Sequence, residues 1–108
     1  MSFDLNDEIE LIDLGNGVKR KIMSHSKNLM LVEVYFKKGS VGKPHSHINE
    51  QINYVQKGSF EITVDGVTKV VKENDSMYIK PNVVHGCVAL EDGILLNVFT
   101  PQRDDFLE

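Results

Sequence analysis

From Leu29 onward the sequence breaks into short runs of branched and aromatic residues, punctuated by turn-forming residues at intervals of roughly eight to twelve positions. The runs cover Leu29–Phe36, 51–56, 60–64, Val67–Lys72, 77–79, 83–90 and 94–99. Asp65-Gly66 joins two of them, and a two-residue connection of this composition supplies the positive φ angles that a tight hairpin needs. No segment after residue 25 sustains a helical period over a dozen residues. Many short strands with frequent turns predict an all-β sandwich or barrel. A short turn of helix is expected near residues 6–11, and Phe106 is expected to pack on the outside.

With 108 residues the chain encloses one core, so a single domain over 1–108 is expected, its barrel occupying about 28–100. A hydrophobic share of 41% and a charged share of 26% are those of a globular protein and argue against disorder. Twelve basic and sixteen acidic side chains give a formal charge of −4, with no lysine or arginine block long enough to follow a phosphate backbone. The densest basic stretch, Lys19-Arg20-Lys21, reads as a solvated turn or strand end. Nucleic acid is therefore not an expected partner. Nor is a membrane, because no apolar run approaches the ~20 residues needed to span one. The opening residues MSFDLNDEIE are acidic where a secretory signal is basic and then apolar, and the one cysteine, Cys87, has no partner for an intramolecular disulfide. A cytoplasmic address follows as an expectation, with Cys87 a small buried residue rather than a reactive thiol. The sheet edges of so small a barrel predict a homodimer.

The histidines carry the chemistry. His45 and His47 stand two apart at what reads as the start of a strand, so both rings are expected on one face. Continuing that parity reaches Gln51 and turns Glu50 away. His85 lies in a later strand that a rolled sheet brings across. Three imidazoles and an amide oxygen form a site for one divalent transition metal, and ligand type alone admits nickel, zinc, iron or manganese. Two alternatives stand beside it: Gln51 as a hydrogen-bonding partner of a ligand histidine, or Glu50 as the oxygen ligand. His25 reads as an exposed turn residue.

Residues 39–58, GSVGKPHSHINEQINYVQKG, resemble the first cupin motif: glycine, five residues, H-x-H, three residues, an oxygen ligand, six residues, glycine. Residues 73–86, ENDSMYIKPNVVHG, resemble the second, with Asp75, Pro81 and His85 aligned and with Asn74 and Asn82 where the family usually has glycine. Asparagine tolerates left-handed backbone well, so both changes are compatible with the fold. The resemblance implies a cupin double-stranded β-helix, or jelly-roll barrel, with metal ligands His45, His47, Gln51 and His85.

GVKRKIM, LMLVEVYFKKGS and especially the tail LLNVFTPQRDDFL further resemble the small cupins of pectin degradation, which open the rings of unsaturated uronates. That likeness implies an enzyme acting on a small anionic sugar. In the tail strand, residues 95, 97 and 99 share one face. Asn97 would then hydrogen-bond a sugar hydroxyl and Phe99 would wall the ring, while Arg103 clamps a carboxylate. Phe99 as plain core and Arg103 paired with Asp104 or Asp105 are the competing readings. The family usually has aspartate where this chain has Asn97, and an amide is no general acid or base at neutral pH. A non-catalytic metal-dependent binding or sensor cupin is therefore the alternative, and an iron-dependent dioxygenase a third.

Overall fold

The computed structural model describes residues 1–108. Ten strands follow in chain order: β1 (Ile12–Gly15), β2 (Val18–Ser26), β3 (Leu29–Phe36), β4 (Val41–His45), β5 (Glu50–Lys57), β6 (Ser59–Val64), β7 (Val67–Lys72), β8 (Ser76–Ile79), β9 (His85–Ala89) and β10 (Gly93–Thr100). Short 3-10 turns at Asn6–Glu8 and Asp104–Leu107 flank them. All pairings are antiparallel. A six-stranded sheet runs β1-β2-β3-β10-β5-β8, and a four-stranded sheet runs β4-β9-β6-β7. These two antiparallel sheets form the expected jelly roll. No helix is long and apolar enough to cross a membrane.

Period-two patterning explains which faces meet. Along β3, Met30, Val32, Val34 and Phe36 are buried while their neighbours are more open. Val55, Phe60, Ile62, Ala89, Leu95 and Phe99 join them in one apolar cluster between the sheets. Each large side chain withdrawn from water there contributes about 1.5–3 kcal/mol. Phe36 and Phe60 meet edge to face at 5.2 Å. The β6–β7 hairpin turns on Asp65 and Gly66 at φ 50° and 78°, as the dipeptide predicts.

Three expectations are corrected. The basic stretch 19–21 lies inside β2, which its mixed composition had hidden, and His25 lies on the same strand, though exposed as expected. Phe106 is not external decoration: it packs against the core, its ring 5.7 Å from that of Phe99. The H-x-H pair does not begin a strand but ends one. β4 stops at His45, and residues 46–49 carry the chain across to β5 in the other sheet. Asn74 and Asn82 do adopt left-handed backbone, with φ 75° and 65°, in the places where the cupin motif has glycine.

Candidate metal centre

His45 and His85 face one another in register across the β4–β9 ladder, so the same antiparallel pairing that closes the smaller sheet sets two imidazoles side by side. Their ring centroids are 4.6 Å apart, and His47 completes a triangle at 5.3 and 5.1 Å. Strand parity does not bring His47 in; the 46–49 connection does. Its backbone is pinned by a 2.7 Å bond from the Asn82 N–H to the His47 carbonyl, which ties the two motif segments together. The buried Asn49 side chain donates to the Pro101 and Gln102 carbonyls at 2.6 and 3.2 Å, fixing the same connection to the tail.

Hydrogen bonds aim the rings. His47 Nδ1 lies 3.0 Å from the Asn49 carbonyl and His85 Nδ1 lies 2.9 Å from that of Val83. An N–H donated there leaves Nε2 as a bare lone pair, the usual preparation of a histidine ligand. His85 Nε2 is buried and has no partner. His47 Nε2 sits 3.0 Å from Gln51 Oε1, whose orientation is fixed because the Gln51 amide donates to Asn53 Oδ1 at 2.5 Å. Whichever His47 tautomer is chosen, one of its nitrogens then points a lone pair at an oxygen. A cation shared by Nε2 and Oε1 removes that repulsion. The ligand atoms of the three histidines lie within 4.8 Å of one another. Two nitrogens on a single tetrahedral ion at about 2.1 Å stand about 3.4 Å apart, so loading draws the rings together by at most roughly 1.4 Å. The donor set fits one divalent ion.

Electrostatics favour the neutral rings that a metal needs. Burial, then the neighbouring His85 and His47, pushes the His45 pKa down to about 4 although one edge of the ring opens to solvent. Burial and the nearby Arg103 lower His47 as well. Glu50 points away, taken up by the Tyr78 hydroxyl at 2.5 Å and by Thr100 Oγ1 at 3.2 Å, so it contributes no carboxylate to the cluster.

Beside the histidines the packing leaves a cavity of about 300 Å³. β5 and β10 pair with Gln51 opposite Phe99 and Asn53 opposite Asn97, and this amide-rich stretch lines the cavity wall. Asn97 Oδ1 is buried without a partner. Phe99 is both wall and core: 2% exposed, it sets its ring 5.7 Å from that of His47. Arg103 is buried, stacks 4.3 Å from the Phe106 centroid, and gives its Nε and Nη2 to Asp105 at 3.0 and 2.9 Å. The pairing with Asp105 is thus present, and only the Nη1 side of that fork is left for a ligand. Cys87 is a free, part-buried thiol whose pKa burial raises, which keeps it protonated.

Residues 32–99 match the family model described as the cupin domain. This chain is a cupin. Over 105 residues, 95% of this cupin and 96% of its relative, it is 45% identical to the pectin degradation protein KdgF of Dickeya dadantii (strain 3937). Among solved structures, KdgF from Halomonas sp. superposes with a TM-score of 0.94 at 39% identity, covering 98% of each chain. An RmlC-like cupin from Shewanella frigidimarina NCIMB 400 gives 0.95 at 40%, covering 98% of this cupin and 96% of that chain.

Two residues with a part in the site escaped the sequence reading. Asn49 sits in the motif but is silent in its pattern, since its work is to hold the connection. Arg20, hidden in a basic run, lines the cavity. The available signal was its place between Val18 and Ile22, a charge on the apolar row of a strand.

Proposed function

We propose that this cupin is a metal-dependent enzyme that opens the ring of a small unsaturated uronate released during pectin breakdown. The observation that carries the reading is the joining of two features in one cavity: a histidine cluster fitted for a cation, and an amide and aromatic wall with room for a single sugar. About 300 Å³ is roughly twice the ~150 Å³ that encloses a benzene ring, enough for a monosaccharide and too little for a polymer. Likeness to KdgF along nearly the whole chain supports the same assignment.

His45, His47 and His85, with Gln51, would hold the ion, which supplies Lewis acidity toward a carbonyl or hydroxyl oxygen. Asn97 offers its unpartnered oxygen to a sugar hydroxyl and so orients the ring. Phe99 excludes water from one face. Arg103, braced by Asp105, adds positive charge toward an anionic substrate. Ring opening breaks the bond between the ring oxygen and its anomeric carbon, forms a carbonyl from the anomeric hydroxyl, and moves that proton to the ring oxygen; the enol so formed then passes its proton to the far carbon of the double bond, which gives the linear keto acid and removes the double bond. Asn97 has no proton to exchange, so the transfer runs through water at the open edge beside His45.

The test is incubation of metal-loaded protein with unsaturated galacturonate, following loss of the double-bond absorbance. A rate no greater than the spontaneous one rejects catalysis. The amide at position 97 favours a second reading, binding without turnover. In that case the uronate raises the melting temperature and is recovered unchanged.

A further inference from the structure

β2 presents an inward row of Val18, Arg20 and Ile22, of which the two aliphatic residues pack on the core. Arg20 is half-buried between them and lines the same cavity as the histidines. Its guanidinium carbon lies 3.7 Å from the centroid of the Phe106 ring, so the plane is held by stacking. No carboxylate lies within ion-pairing distance, because the chain's one salt bridge joins Arg103 to Asp105. Arg20 Nε is buried with no hydrogen-bond partner. Burial, and after it the charge of Arg103, opposes the cation, yet a guanidinium does not give up its proton in a protein. The result is a fixed, oriented positive charge in the cavity wall with no ion-pair partner of its own, Asp105 acting on it only from beyond ion-pairing distance. An unsatisfied buried donor of this kind is costly and is relieved by an acceptor. Of the two guanidiniums stacked on Phe106, Arg103 has its Nε edge filled by Asp105 and Arg20 has its Nε edge free.

We propose that Arg20 is the carboxylate-recognition residue of the cavity, donating Nε–H to an oxygen of a small hydroxylated carboxylic acid while Phe106 holds the guanidinium in plane. Arg20 thereby selects sugar acids over neutral sugars. This deepens the uronate reading and rests on it for the class of ligand, but the selection for charge is testable without turnover.

Calorimetric titration of the metal-loaded protein with D-galacturonate and with D-galactose separates the carboxylate from the ring. The expected result is tighter binding of galacturonate. In Arg20→Gln, whose planar amide still stacks on Phe106, that preference falls by about ten- to a hundredfold, as loss of one charged hydrogen bond implies, while galactose binding and metal content stay unchanged. Arg20→Lys keeps the charge and loses the fork, and retains part of the preference. A measurement on the unsubstituted protein guards against variants that fail to fold: the Arg20 Nε–H resonance moves on adding galacturonate and not on adding galactose. Equal affinity for the two sugars, an unaltered preference in a folded Arg20→Gln, or an unmoved resonance overturns the proposal. If unsaturated uronate is not turned over but galacturonate binding depends on Arg20, catalysis fails and the recognition role stands. If turnover proceeds with an unchanged KM in Arg20→Gln, the reverse holds.

Discussion

Position 97 concentrates what is particular to this chain. An amide there can align a hydroxyl and cannot carry a proton, so Asn97→Asp, which supplies a carboxylate at that point of the wall, is expected to raise kcat on unsaturated galacturonate by about 10²–10⁴ with a smaller change in KM. An unchanged kcat would locate the proton transfer elsewhere. A second consequence lies in the histidines. In the metal-free protein the His45 pKa of about 4 is depressed from 6.5, so between those values the unfolded chain takes up the proton first. Thermal stability of the metal-free protein should therefore decline as the pH falls from 6.5 toward 4; a melting temperature flat across that window would contradict the depressed ring. At this scale the sequence was readable where spacing carries chemistry. His45, His47, Gln51 and His85 are brought together as the two motifs imply. Arg20 was masked by the lysines on either side of it, and Asn49 acts through carbonyls that no motif displays.

Elements explain why some of that reading succeeded for a different reason than expected. β3 and β7 keep the bounds their patterns predict, and the Asp65-Gly66 turn fixes β6 against β7. β2 went unseen because its inward row contains a charge, and β4 because VGKPH lacks a strand pattern. Gln51 meets His47 although the two do not share a strand, since the 46–49 connection passes from one sheet to the other. The β4–β9 pairing is the element that sets His45 against His85, and Gly86 permits its closeness. A Cβ at that position would stand 2.9 Å from the Gly42 carbonyl oxygen and 3.1 Å from Pro44 N. Gly86→Ala must then spread the ladder, with an expected loss of about 1–3 kcal/mol in urea unfolding and about ten- to a hundredfold in metal affinity. Unchanged affinity would mean that the ladder does not position the ligands.

At the scale of the whole molecule, two sheets enclose an apolar cluster and leave a cavity where the histidine cluster and a sugar-sized space coincide. β1 and β8 close the larger sheet and β4 and β7 the smaller, so four strands retain an unpaired edge. Beside the β8 edge, Ile52 and Tyr78 lie on the outer face, 49% and 53% exposed. Edges and apolar side chains left open in this way motivate the homodimer, and sedimentation equilibrium should return twice the 12.2 kDa chain mass; a monomer throughout would contradict it. The jelly roll was legible because alternation and turn spacing are properties of the whole chain, whereas the cavity is not, being the space that packing leaves between distant strands. The proposed function depends above all on three imidazoles converging on one cation. Native mass spectrometry of the purified protein, set against a variant with His45, His47 and His85 all replaced by alanine, tests this most directly. One divalent ion per chain, lost in the folded triple variant, is the predicted result, and equal metal content in the two would contradict it.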